Sequence, residues 1–537
     1  MALFTLRFLP LFSTATIAIY ILSRFMNFEK ESTRAWTYTI TFTVYVLYWS
    51  YIYPYYLSPL RNVPTVSGCP LWGQLFQIST TEAGTVHREW HKKHGPIVRY
   101  FYLLGREVLS VVDDSALRHI MLEAPYNYEK TISARVAFAR IFGDGILSAA
   151  GKVHAQQRKA LNPAFSISAI KALVPAFWYH SYSMISYWEQ EINESRDEIV
   201  SLNISDWTSR ASLDIIAAVG FGAKINTLHN PGSPVLQAFR QIFKFNVATG
   251  LITVLHILSP LAQYLPTGAN RDVDAAKRTL FEFASSLIKD KEAIADLTST
   301  SILSQLVRDD RKLQDVDVDE DMKIKCAQIA TFLGAGQDTS ATWLSWTLHL
   351  LSKHQHIQVK LREEIHSHFP FLFESATWKD ANVTEANVDR LPYLNNVCRE
   401  SLRYIPPVPI VPREAVTDER IGEYFIPKGT SICIPVNTIH RMPEYWGPNP
   451  SAFDPDRWDC LPASYTNNAF IPFIHGPRGC IGRKFADTEV KIMLCCLLSK
   501  FEFSPDPAVR DPEELKRYRI ILKPRDGIQL KVSKIDG

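Results

Sequence analysis

Residues 473–486 read FIHGPRGCIGRKFA. One thiol, Cys480, stands among Gly476, Gly479 and Gly482, with Arg478 two residues before it. Glycine allows close backbone approach and turns that a Cβ would block. Bare amides can then reach the sulfur as donors, and Arg478 adds positive charge. The sequence from Ile481 onward reads as a helix, so the sulfur lies near a helix N-terminus, where the dipole favours an anion. Each of these features lowers the cost of holding the sulfur as a thiolate. The stretch therefore predicts one electron-rich sulfur under hydrogen-bond control.

The other seven cysteines, at 69, 326, 398, 433, 460, 495 and 496, form no CxxC pair and no zinc-ligand spacing. They read as small hydrophobes. The chain has 537 residues, 46% hydrophobic and 21% charged, which suits a globular protein with a large core. A net charge of +3 without a block of like charges argues against a nucleic-acid partner.

The first 57 residues are expected to be a membrane anchor. Residues 8–23 are apolar and uncharged but slightly short for a span of about 20 residues. Residues 36–53 are longer and carry Trp and Tyr at both ends, where aromatic belts sit. One or both of these segments are expected to span. Residues 58–74 follow, with Pro59, Pro64 and Pro70, and read as a stiff connector.

Residues 75–537 read as one helix-dominated domain with short strands early and late. Alternation over 96–113 predicts a hairpin turning at Gly105. Helical patterns cover about 160–195, 205–220, 233–250, 270–294, 319–352 and 355–368. Residues 406–436 are proline-rich and strand-like. A closing hairpin is expected to turn at Asp526-Gly527.

Two further patterns carry chemistry. Glu400 and Arg403 share a helix face at i, i+3 and can pair. Ala335–Ser340, AGQDTS, lies inside a long apolar helix. Gly334 and Gly336 each cost about 1 kcal/mol there against alanine, so that face is expected to be left bare for the close approach of another group. Thr339 can bond a backbone carbonyl and kink the helix.

The spacing of Phe473, Gly476, Arg478, Cys480 and Gly482 resembles FxxGxRxCxG, the haem-binding signature of the cytochrome P450 family. The ExxR pair 80 residues upstream and the AGQDTS segment fall in the family's order, and the resemblance runs from about residue 60 to the C-terminus. It implies the P450 fold, mainly α with small β-sheets (α+β), behind the N-terminal transmembrane segment or segments. It implies haem b with Cys480 as axial ligand. Thr339 would hydrogen-bond dioxygen, Asp338 would relay protons, and the bare face at Gly334 and Gly336 would admit the planar cofactor and O2. Arg457 would lock onto the Glu400–Arg403 pair as a structural staple. His154, Arg158, Arg413 and Arg478 would hold the haem propionates; His154 stands where the family usually has Trp. Phe473, Gly476 and Gly482 would shape the cofactor loop.

The implied reaction is monooxygenation. No flavin or dinucleotide segment appears, so the resemblance implies NADPH–cytochrome P450 reductase as partner, with cytochrome b5 as a further candidate. It places the chain in the endoplasmic reticulum membrane with the catalytic domain facing the cytosol. Arg478, Arg483, Lys484 and Lys491 could form a docking patch for an acidic partner. Phe138, Phe142, Ile146, the 241–258 stretch and Val408–Val411 are expected to line an apolar substrate pocket. The chain most resembles membrane-bound fungal enzymes of secondary metabolism, which points to a terpenoid, meroterpenoid or polyketide intermediate. The alternatives are a fatty acid or alkane hydroxylase and a non-oxygenase haem-thiolate isomerase or dehydratase.

Overall fold

The longest helical pattern becomes a 36-residue helix, Val318–Lys353, in the computed structural model of the protein. Asp319, Glu320 and Asp321 occupy its first turn, where the helix dipole favours negative charge. Its sequence is apolar or small nearly all round, as a helix buried on every side requires. From Lys325 to Ser352 each residue is buried except Ala335, Gly336 and Thr339. The structure describes residues 31–69, 71–243, 265–294, 301–308, 318–373, 385–518 and 521–535. Their contacts group into two compact units. One takes Met1–Ala137, Asn246–Leu265 and Ile410–Thr438; the other takes Phe138–Phe245, Pro266–Pro409 and Ile439–Gly537.

The first unit is built on a five-stranded sheet. Its order is Ile97–Phe101, Glu107–Val111, Ser431–Ile434, Val411–Ala415 and Tyr128–Glu129. The first two strands form the hairpin expected over 96–113, with Ile97 opposite Val111, and Gly105 takes a positive φ of 70° at the turn. The segment before the sheet is pinned by charge. Arg99 donates to the Pro54 carbonyl at 2.9 Å and to Glu107 at 2.8 Å, and Ser58 also donates to Glu107. The helix Glu31–Leu47 runs into a wider π-helical stretch, Tyr48–Leu57, that includes Pro54. Trp36, Ile40 and Tyr56 are exposed. Among the described residues no single helix is long and apolar enough to cross a membrane. Residues 8–23 lie outside the described residues.

The second unit carries the long helices. Ile204–Phe221, Gly268–Ile294 and Gln355–His368 match their expected spans within about two residues. The 160–195 pattern becomes Ile167–Glu194, preceded by a separate helix, Gly151–Leu161. Pro163 ends the earlier helix in a 3-10 turn, and the Ser166 hydroxyl caps the later one by accepting from the Ala169 N–H. Pro234–Phe243 covers the start of the 233–250 pattern; residues 244–264 lie outside the described residues. The expected closing hairpin does not form. Gly527 does turn, with φ 82°. Leu522–Pro524, however, pairs with Lys516–Tyr518, while Gln529–Lys534 sits between Ile199–Asn203 and Phe501–Pro505 in another sheet. Two longer partners satisfy the final strand better than one three-residue neighbour could. A Cβ at Gly527 would lie 2.8 Å from the Asn203 side chain, so the glycine serves close packing as well as the turn.

Candidate active site

The thiol stretch folds as a tight loop ahead of the helix Arg483–Leu498, which begins after Gly482. The Cys480 N–H donates to the Phe473 carbonyl at 2.8 Å and closes the loop. Inside it, Gly476 takes φ 73° and Ile474, unusually for a branched residue, φ 57°. A Cβ at Gly479 would lie 3.0 Å from the Ile474 carbonyl oxygen and 3.1 Å from that of Gly476. Glycine at 479 is therefore favoured by crowding, which the sequence pattern alone does not reveal. Arg158, on the helix Gly151–Leu161, donates Nη1 to the Gly479 carbonyl at 2.6 Å and so ties that helix to the loop. Burial around the sulfur pushes the Cys480 pKa up. The Gly482 N–H and the charges of Arg158 and Arg483 pull the other way, where the sequence points to Arg478 for that charge. The Cys480 side chain is nonetheless accessible, beside a buried Gly479.

The remaining thiols lack that setting. Cys326, Cys398, Cys433, Cys495 and Cys496 are buried, and burial raises the pKa of each. Cys433 lies in the first unit's sheet, packed among Val98, Tyr100 and Val108, with its pKa pushed up to about 12. Its sulfur is 4.0 Å from His87 Nε2. Cys69 and Cys460 are exposed. Among the described residues, Cys480 alone joins accessibility to an arginine-supported glycine loop.

On the long helix, Ala335, Gly336 and Thr339 form one partly accessible turn within an otherwise buried run. Thr339 Oγ1 donates to the Ala335 carbonyl at 2.7 Å, the expected back-bond. The helix nevertheless continues unbroken to Lys353. The two glycines act differently from expectation. A Cβ at Gly334 would lie 2.7 Å from the Phe142 ring and 2.9 Å from that of Phe239, and one at Gly336 would lie 3.2 Å from Ile216. Their bareness admits neighbouring side chains. Phe142 belongs to the expected pocket lining; Ile216 belongs to the helix Ile204–Phe221. Asp338 is buried and paired with Lys523. Trp343, one turn beyond Thr339, packs edge-on against Phe473 with ring centroids 6.1 Å apart, linking this helix to the thiol loop.

Glu400 and Arg403 lie on the helix Pro392–Tyr404, both fully buried. Arg457 Nε donates to Glu400 Oε1 at 3.0 Å, so the expected three-residue staple is present. Sequence reading missed its further members. Trp458 Nε1 donates to Glu400 Oε2 at 3.1 Å, and the Asp454 N–H to Oε1 at 2.9 Å. Arg403 donates to the carbonyls of His440, Pro450 and Ala452. His440 Nε2 accepts from the Ile471 N–H at 2.9 Å, near the start of the thiol loop. A lone Trp or His in a loop carries no sequence signal for this role.

The other expected cofactor residues are distributed as follows. His154 is buried on the Arg158 helix. Arg478 lies in the thiol loop, half-buried. Arg413 belongs to the first unit, buried on the strand Val411–Ala415, with Nη1 donating to the Pro412 carbonyl. Two of the expected docking cations are already neutralised. Lys491 contacts Asp389 and Asp487, at 2.9 and 2.7 Å, and Lys484 contacts Asp389 at 2.5 Å. A cleft of about 430 Å³ lies beside them, lined by Arg399, Phe473 and Arg483 among others.

An accessible thiol in an arginine-bound glycine loop, in the same unit as a helix with one open Ala-Gly-Thr turn, is the arrangement that a haem-thiolate protein needs. The Cytochrome P450 family model matches residues 63–532. The chain is 31% identical over 512 residues to the cytochrome P450 monooxygenase sphH of Aspergillus fumigatus, covering 92% of this chain and 91% of the relative. It is 30% identical over 559 residues to the cytochrome P450 monooxygenase ALT8 of Alternaria alternata, covering 90% and 92%. It is also 30% identical to FUM15 of Gibberella moniliformis, over 84% of each chain. The chain belongs to the cytochrome P450 family. It is a haem monooxygenase; the family holds haem through a cysteine thiolate and receives electrons from NADPH through a reductase. The residues fit such a group: the accessible sulfur of Cys480, donors and cations around it, and a partly open helix turn in the same unit.

Proposed function

We propose that this chain oxidises a lipophilic small molecule, with Cys480 as the thiolate ligand of its haem. When bound, that haem supplies the reductive cleavage of O2, delivering one oxygen atom to a substrate C–H or C=C bond and the other to water. The protein's part is orientation, water exclusion and proton handling. The observation that carries this reading is the accessible, arginine-supported sulfur of Cys480, set against five buried thiols.

Arg158 and Gly482 hold the Cys480 loop and temper the thiolate's charge. Thr339 keeps its hydroxyl at the open helix turn by donating to Ala335, so its oxygen lone pairs stay available as acceptors. Asp338, next along the helix, holds and passes protons. His154 and Arg478 are assigned, with Arg158, to the propionates, since buried carboxylates require cationic or donor partners. Phe142, in contact range of the position where Gly334 would carry a side chain, supports an apolar lining on the substrate side. A terpenoid, meroterpenoid or polyketide intermediate of secondary metabolism suits an apolar pocket, and the exposed Trp36, Ile40 and Tyr56 suit a lipid surface at the endoplasmic reticulum. The reductase docks beside Arg399 and Arg483, where cations remain after Asp389 and Asp487 have taken Lys484 and Lys491.

The test is twofold. The purified, reduced protein treated with carbon monoxide should give the long-wavelength Soret band of thiolate ligation. With a reductase and NADPH it should add one oxygen mass to a member of a panel of lipophilic scaffolds. A well-folded, colourless protein, or a spectrum of nitrogen ligation, would overturn the reading.

A further inference from the structure

Asp338 is buried in the helix that carries Thr339, with only 4% of its side chain exposed, and its partner comes from far along the chain. Lys523 bonds Asp338 Oδ1 across a sequence separation of 185 residues. The Lys523 side chain is 41% exposed. The pair thus joins a buried acid to solvent through one cation. Asp338 Oδ2 is buried and has no hydrogen-bond partner among the described residues.

Lys523 does not reach Asp338 by chance of a mobile surface chain. It sits on the short strand Leu522–Pro524, paired with Lys516–Tyr518. The residue before it is held at both backbone ends: Trp346 Nε1 donates to the Leu522 carbonyl at 2.9 Å, and the Leu522 N–H donates to the Pro407 carbonyl at 2.8 Å. Trp346 lies on the same helix as Asp338, two turns on. The Lys523 ammonium is also 5.4 Å from the centre of the Phe243 ring. Backbone, tryptophan and ring together fix where the ammonium can be.

We infer that Lys523 is the positioning residue for Asp338 and its route to solvent protons, an inference that rests on the proton-relay role proposed for Asp338. A buried carboxylate without a cation would be costly to keep charged. Lys523 pairs with Asp338 through Oδ1 alone, so Oδ2 remains free to accept and pass a proton. The ammonium holds Oδ1 and reaches out to solvent, a positioning role that a guanidinium can also fill. The chemistry needing those protons balances as O2, two NADPH and two H⁺ giving two H2O and two NADP⁺. When delivery lags, O2, one NADPH and one H⁺ give H2O2 and NADP⁺.

The experiment uses the full-length holoenzyme with reductase and NADPH, no organic substrate, and O2 itself as probe. Peroxide formed per NADPH is measured for the wild type, Asp338→Asn, Lys523→Met, Lys523→Gln and Lys523→Arg. For both neutral variants the share of electrons reaching water should fall roughly tenfold, the scale expected when a group orienting a functional residue is lost. The solvent deuterium isotope effect on NADPH oxidation should rise with it. Lys523→Arg should restore most of the water yield and the wild-type melting temperature, which should fall in the two neutral variants, while the reduced carbon monoxide spectrum stays unchanged in all three. A merely structural ion pair would shift melting without moving the partition or the isotope effect. If Asp338→Asn raises peroxide and both neutral Lys523 variants leave it at the wild-type ratio, the Lys523 inference is overturned and the Asp338 role stands. If Asp338→Asn also leaves the ratio unchanged, the relay reading itself fails.

Discussion

Glu400 and Arg403 meet through two parallel hydrogen bonds, Nε to Oε2 and Nη2 to Oε1, each 2.7 Å, with neither side chain exposed. The geometry is the bidentate fork that makes arginine–carboxylate pairs strong and directional. Because Arg403 also holds three carbonyls between residues 440 and 452, the pair fixes the backbone that leads into the thiol loop. Removing one partner leaves a buried charge uncompensated, at about 3–5 kcal/mol. Glu400→Gln should therefore lower the melting temperature and yield protein with reduced haem content per chain. Wild-type melting and haem content in that variant would show that the staple is dispensable.

Two cysteines give a paired test of the ligand assignment. Cys480→Ser should abolish the thiolate-type carbon monoxide spectrum. Cys433→Ala should keep that spectrum and cost about 1–2 kcal/mol, because its sulfur packs between Val98, Tyr100 and Val108, 4.0 Å from His87 Nε2. Loss of the spectrum in the Cys433 variant with retention in the Cys480 variant would reverse the assignment.

Thr339→Ala removes a hydroxyl whose one recorded bond is a back-bond within its own helix. Such bonds add little to stability, and alanine is the better helix former by about half a kcal/mol. Folding and haem content should be preserved. Coupling should suffer: with reductase and a product-giving scaffold, peroxide should rise several-fold per NADPH, and Thr339→Ser should recover most of the loss. Unchanged coupling in the alanine variant would remove Thr339 from the oxygen chemistry.

Local chemistry was legible where residues act on near neighbours. The Cys480 loop, the Thr339 back-bond, the Gly105 hairpin and the Glu400–Arg403 pair all involve partners within a few residues, so spacing exposes them. Features made by distant segments were not. The Asp338–Lys523 pair spans 185 residues, and the Trp458 and His440 contributions to the staple depend on how loops return to the core. The glycines at 334 and 336 misled for the same reason: a bare helix face is visible in sequence, but Phe142, Phe239 and Ile216, which use it, are not. The final strand illustrates the point again. Its Asp526-Gly527 turn is local and present, whereas its partners at Ile199–Asn203 and Phe501–Pro505 are decided by tertiary packing.

Glu489, fully buried on the helix that follows Cys480, gives a prediction about pH. Its Oε1 accepts from Ser212 Oγ at 2.7 Å. Burial pushes its pKa from the ordinary 4.5 up to about 7, against the Ser212 and Ser340 hydroxyls, which favour the charged form. A raised carboxylic acid pKa means the folded state binds the proton more tightly than the unfolded chain. Its stabilising contribution is complete below pH 4.5, declines as pH rises, and is gone above about 7. At about 1.4 kcal/mol per pKa unit the total is on the order of 3 kcal/mol. Glu489→Gln keeps the shape and removes the proton. Denaturant unfolding of both proteins at pH 5 and pH 8 should show the wild type losing about 3 kcal/mol more than the variant over that interval, since all other titrating groups cancel in the comparison. Parallel losses in the two proteins would mean that Glu489 titrates near its ordinary value, and that the core between Ser212 and the helix tolerates a carboxylate at neutral pH.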